Sequence, residues 1–264
     1  MEQIIFTKTY PQPPVDRLEI LRYMRCGEGD TDGDIDTLLD VCLAELLPLL
    51  VYKVCWRVFP LRRTEENLLS PNVSVHADAQ ASSEEFLDLG FLQTNSRGLA
   101  RNLQDCEKLV LFAATVGLEP DRLLAKYGRV SPVKALCMQA IGAERIESLC
   151  DAFCGELQQK YAAEGLQLKP RFSPGYGDFP LEAQKAVFQT LDCPRKIGLS
   201  LNDSLLMSPS KSVTALVGLF PQHTCPGTGR ETDAKTRTAD PAKQIASRTN
   251  CAGCDKTDCL FRQT

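Results

Sequence analysis

The chain has 264 residues, a formal charge of −4 and an ordinary hydrophobic fraction of 43%, enough apolar material to bury one large core or two modest ones. The acidic balance argues against a nucleic-acid partner, which needs a basic face to displace counterions from phosphates. A membrane-spanning role is excluded on length, because the longest apolar run, residues 38–54, is interrupted by Asp40, Glu45, Pro48 and Lys53.

In chain order, a helix is expected over residues 15–24, after Pro13-Pro14, with Leu18, Ile20, Leu21 and Met24 on one side. A second helix begins among the Asp and Thr residues at 30–36 and runs to Leu47. Residues 51–61 and 85–93 are rich in β-branched and aromatic side chains and suit strands, with a turn at Ser70-Pro71-Asn72 between them. Ser96 caps a helix through Leu103, and the apolar run 108–114 reads as a buried strand closed by Gly117. Helices follow over 119–126, 132–141 and 143–161, then a strand over 167–172, a helix over 181–191 and a buried strand over 213–220. Strands and helices that do not alternate regularly favour an α+β fold over a doubly wound sheet.

The start of the chain lacks a secretory signal, so a cytoplasmic location is expected, where thiols stay reduced. The twelve cysteines then need a reason other than disulfides. Eight of them, Cys26, Cys42, Cys55, Cys106, Cys137, Cys150, Cys154 and Cys193, lie among apolar neighbours and read as core packing. The other four fall beyond Pro221, where the composition turns to Thr, Gly, Asp, Lys, Arg, Pro and Ala. Such a stretch buries too little surface to offset chain entropy. Residues 1–221 are therefore expected to form the folded body and 222–264 a flexible, cysteine-rich, metal-binding tail. Cys251, Cys254 and Cys259 have spacings at which thiolates share one metal, and Cys225 supplies a fourth ligand, with His223 as its substitute. Zinc and an iron-sulfur cluster both satisfy this spacing, and a redox-reactive thiol set is the third reading.

The most informative stretch is Arg171-Phe172-Ser173-Pro174-Gly175-Tyr176-Gly177-Asp178-Phe179-Pro180, between an expected strand and an expected helix. Its glycines and prolines bend the backbone tightly, while Arg171 and Tyr176 offer a cation and a phenol. On its own this is a junction able to bind a carboxylate or an aromatic ring, or simply a rigid turn with a surface arginine.

The Arg-x-x-Pro-Gly-Tyr sequence, with Pro180 and a following helix holding Glu182, Gln184 and Lys185, resembles the signature loop of the activation (reactivation) domain of cobalamin-dependent methionine synthase. Residues 197–213 are similar to that family's pattern of Gly198, Leu199, Ser200, Met207, Pro209 and Ser212-Val213, and residues 131–153 look like the helical region of its freestanding members. The resemblance covers about residues 105–220. It implies a twisted antiparallel sheet flanked by helices and a site for S-adenosylmethionine. In that site Arg171 would hold the ligand carboxylate, Ser173 and Gly175 would touch the adenosine part, Tyr176 would line the pocket, and Asp151 would make a further contact. Glu147 and Glu156 compete with Asp151 for that role. Here the sequence departs from the family, since Pro221 leads into the polar tail where the synthase domain contributes a further ligand-binding aromatic. In this context the tail favours an iron-sulfur cluster, which would carry an electron to oxidised cobalamin, over zinc.

The implied function is that of an accessory protein for S-adenosylmethionine-dependent remethylation of the cobalamin on a partner methyltransferase, served by an electron donor. Neither His76 nor His223 lies in the Asp-x-His-x-x-Gly context of a cobalt ligand, so cobalamin is expected on the partner rather than on this chain. The alternative is a small-molecule-binding or scaffold module with a structural zinc tail.

Overall fold

Alternation of side chains along a five-stranded antiparallel sheet divides the core of this protein into two layers. The computed structural model describes residues 4–26, 33–61 and 87–222. In chain order the elements are β1 (Phe6–Thr9), α1 (Arg17–Tyr23), α2 (Gly33–Leu46), β2 (Lys53–Pro60), β3 (Leu87–Asp88), β4 (Gln93–Thr94), α3 (Arg97–Asn102), β5 (Lys108–Thr115), α4 (Glu119–Val130), α5 (Pro132–Ala162), β6 (Leu166–Leu168), α6 (Ala183–Leu191), α7 (Cys193–Ile197), β7 (Ser200–Leu201), β8 (Met207–Ser208) and β9 (Ser212–Pro221). The sheet order is β1-β2-β5-β9-β6, with every neighbouring pair antiparallel. Two small hairpins, β3 with β4 and β7 with β8, lie outside it.

On β5, Leu109, Leu111 and Ala113 face a layer that includes Leu216 of β9, Leu99 of α3 and Val187, Phe188 and Leu191 of α6. Val110, Phe112 and Ala114 point the other way, into a layer with Ile146, Leu149, Phe153 and Leu157 of α5. A strand covered on both faces must be apolar at every position, which is why the run starting at Lys108 does not alternate. A third cluster joins α1, α2 and α4 to the first half of α5 through Ile20, Leu39, Leu46, Leu123, Tyr127, Met138 and Ile141.

Helix α5 runs unbroken for 31 residues, where two helices were expected on either side of Gly142. A Cβ at position 142 would come within 3.0 Å of the Lys211 side chain, so the glycine marks a close approach by the residue just before β9 rather than a helix end. Just beyond it, Arg145 and Glu144 are both fully buried and paired with one another. Arg145 donates to the carbonyls of Pro13 and Pro14 at 2.7 Å, and Glu144 accepts from the Asp16 amide at 2.9 Å, which fastens the segment before α1 to α5.

Ser96 caps α3 as expected, accepting from the Leu99 amide at 3.1 Å, and Asp16 caps α1 in the same way with Glu19. The strand expected over 85–93 is instead the β3–β4 hairpin, turned at Gly90 with φ +79°, and residues 85 and 86 lie outside the described residues. Edge strand β1 was not anticipated. Six of the eight cysteines expected to pack are buried, and Cys26 and Cys154 are half-buried. Among the described residues no helix is long and apolar enough to cross a membrane.

Candidate functional site

A local slip in sheet register decides where Arg171 points. Leu168 of β6 lies opposite Leu219 of β9, yet the next contact, an isolated bridge, sets Phe172 opposite Leu216. Four steps on one side match three on the other, so the segment carries a bulge of one extra residue, with Pro170, which has no N–H for the ladder, inside it. One extra residue sends every later side chain to the opposite face. Phe172 accordingly packs in the layer of α3 and α6, and Arg171 turns toward α5. There its Nη2 donates to Glu147 Oε2 at 2.9 Å and to Asp151 Oδ1 at 3.0 Å.

The result is an open cleft of about 200 Å³ lined by Glu147, Arg171, Ser173, Tyr176 and Val213. The loop forming its rim closes on itself. The Tyr176 amide donates to the Ser173 carbonyl at 3.1 Å, the Gly175 amide to Phe179 at 2.9 Å and the Phe179 amide to Tyr176 at 3.0 Å. Gly175 and Gly177 hold φ of +87° and +58°, a region that side chains disfavour. The exposed Tyr176 ring stands edge-on to Phe172 with centroids 5.2 Å apart.

Desolvation opposes charge on Arg171, but neighbouring groups more than offset it and its pKa is raised further. Burial pushes the Cys150 thiol up and the Cys154 thiol to about 12, so both are neutral near pH 7. The compensating charge therefore comes from Glu147 and Asp151. Desolvation pushes the Asp151 carboxyl above its ordinary value, Arg171 pulls it back, and Glu147 adds to the rise. Two carboxylates around one guanidinium leave the cleft with a surplus negative charge.

Of the residues expected from sequence, Arg171, Ser173 and Tyr176 line the cleft, Asp151 joins it through Arg171, and Gly175 shapes the rim. Glu147, expected only as a competitor of Asp151, lines the cleft directly. Glu156 is engaged elsewhere, by Lys8 at 2.6 Å and Tyr10 at 2.7 Å. Val213 and Asp178 went unassigned. Asp178 accepts from the Arg97 amide at 2.7 Å and the Gly98 amide at 3.1 Å, a tie to α3 that no local pattern signals. No group of three or more His, Cys, Asp or Glu that could hold a metal occurs among the described residues. Cys225, Cys251, Cys254 and Cys259 lie outside them.

The five-stranded antiparallel sheet covered by helices on both faces makes this an α+β fold, and it is shared with a domain of known structure. The crystal structure of the MetH reactivation domain bound to AdoHcy is similar to this chain, with a TM-score of 0.54 and 16% sequence identity, over 84% of this chain and 80% of that one. At this identity the likeness establishes the shared fold. No protein-family model matches the chain, and no curated protein does.

Proposed function

We propose that this protein assists reductive reactivation of a cobalamin-dependent methionine synthase or related corrinoid methyltransferase, and that it binds S-adenosylmethionine in the cleft at Arg171. The observation that carries this reading is the guanidinium flanked by two carboxylates, beside a phenol, in a fold shared with a domain solved with AdoHcy. The donor set suits the ligand. An amino acid's carboxylate takes the Arg171 fork, its ammonium takes Glu147 or Asp151, and the surplus negative charge favours a sulfonium over a neutral thioether. Tyr176 presents a ring face and hydroxyl at the mouth. When bound, S-adenosylmethionine supplies a methyl group to the reduced cobalt on the partner. The chain's own residues hold and orient the ligand, and Gly175 and Gly177 keep the rim close to it.

The same reading makes Cys225, Cys251, Cys254 and Cys259 ligands of an iron-sulfur cluster that receives an electron from a donor protein. Visible and electron paramagnetic spectra of anaerobically purified protein test this, and a colourless, zinc-loaded protein removes it. Calorimetry with S-adenosylmethionine tests the cleft. The whole function is tested by adding the chain, a reductant and S-adenosylmethionine to an oxidised corrinoid methyltransferase. Recovery of activity supports it, and no recovery with intact binding confines the protein to ligand binding.

A further inference from the structure

Asp178 occupies a place in the fold that the function above leaves unexplained. It follows Tyr176 by two residues, and between them Gly177 bends the chain with φ +58°. The next residue, Phe179, is anchored in the core. The Asp178 carboxylate accepts three donors from the start of α3: the Ser96 hydroxyl, the Arg97 amide at 2.7 Å and the Gly98 amide at 3.1 Å. Ser96 serves both ends of this contact, because the same oxygen caps α3 by accepting from the Leu99 amide. Space for the carboxylate depends on position 98, where a Cβ would lie 2.7 Å from Asp178 Oδ1.

The loop's backbone bonds run between its own residues 173–179, and its ends are held by the Phe172–Leu216 bridge and the buried Phe179, which leaves the stretch between them to be tied to α3. Asp178 makes that connection. Charge-assisted bonds to backbone donors at a helix start are among the stronger polar contacts. Although desolvation works against the charge, the bonds from Ser96, Gly98 and Arg97 hold this carboxyl below its ordinary value.

We infer that Asp178 is a positioning residue for the cleft: its bonds to Ser96, Arg97 and Gly98 hold the 173–179 loop where Ser173 and Tyr176 face Arg171. This rests on the reading of the cleft as a ligand site, and the two are tested separately. Full-length protein carrying 3-fluorotyrosine reports the loop through the Tyr176 fluorine resonance, assigned with Tyr176→Phe. Calorimetry with S-adenosylmethionine reports the site.

Asp178→Ala and Gly98→Ala, which break the contact from opposite sides, are expected to shift the Tyr176 resonance and weaken binding about tenfold. Asp178→Asn, which keeps an acceptor of the same shape, is expected to recover part of that loss. Gly98→Ala improves the intrinsic helix propensity of α3, so lost affinity without lost melting temperature separates positioning from general stability. An unmoved Tyr176 resonance in both alanine variants overturns the inference, as does wild-type affinity in them. If wild-type protein fails to bind S-adenosylmethionine while the resonance shifts as expected, the ligand assignment falls and the positioning role stands.

Discussion

Replacing Arg171 with alanine removes the guanidinium shared by Glu147 and Asp151, and the structure separates its effect on binding from its effect on folding. A ligand carboxylate in the cleft would lose charge-assisted hydrogen bonds worth about 1.5–3 kcal/mol each. It would also face two carboxylates with no cation between them. The loss of affinity is therefore expected at about 3 kcal/mol or more, over 100-fold in Kd. The fold has less at stake. The Arg171 side chain is 21% exposed and its partners are 41% and 49% exposed. Water can hydrate both carboxylates once the arginine is gone, so the stability cost is expected at about 1 kcal/mol or less. Calorimetry with S-adenosylmethionine and a thermal melt on the same sample read the two effects. An affinity within threefold of wild type, or a loss of cooperative unfolding, would refute the reasoning.

Arg145→Met should behave in the opposite way, because Glu144 would remain fully buried without its partner and the Pro13 and Pro14 carbonyls would lose their donor. A stability loss of about 3–5 kcal/mol is expected in urea denaturation, and an unchanged midpoint would show that the latch carries no weight. Lys211 is nine-tenths buried and desolvation lowers its pKa, with Asp121 acting weakly the other way. For a base depressed in the folded state the unfolded chain holds more protons, so stability should rise as pH climbs through the folded pKa toward the unfolded value. Lys211→Met should abolish that rise and raise the melting temperature at pH 7; a lower melting temperature would contradict it. Glu147→Gln should narrow any preference for S-adenosylmethionine over S-adenosylhomocysteine, measured as the ratio of their Kd values, and an unaltered ratio would rule out charge selection by this residue.

The central strands were legible because burial on both faces leaves a nearly continuous apolar signature, as in residues 108–114 and 213–220. Gly142 misled for a physical reason. A glycine within a helical pattern reads as a break, and what it accommodates, Lys211, is 69 residues away. Strand β1 carries little signal of its own, since its four residues are exposed and its identity comes from pairing with β2. At the site, Arg171 and Tyr176 stood out through the loop around them, but the direction of Arg171 depends on a bulge that exists only relative to β9. Asp178 was hidden in the same way, because its donor Ser96 is 82 residues distant. Residue type and short spacing are local properties, whereas register and contact belong to the folded chain.

Helix α5 links two regions that the sequence separates. At 1.5 Å per residue its 31 residues extend roughly 46 Å, and along that length it packs first with α1, α2 and α4 and then against the sheet. Glu147 and Asp151 sit near its middle. The helical layer and one wall of the cleft are therefore parts of a single continuous element, so residues that set the packing of one also set the placing of the other.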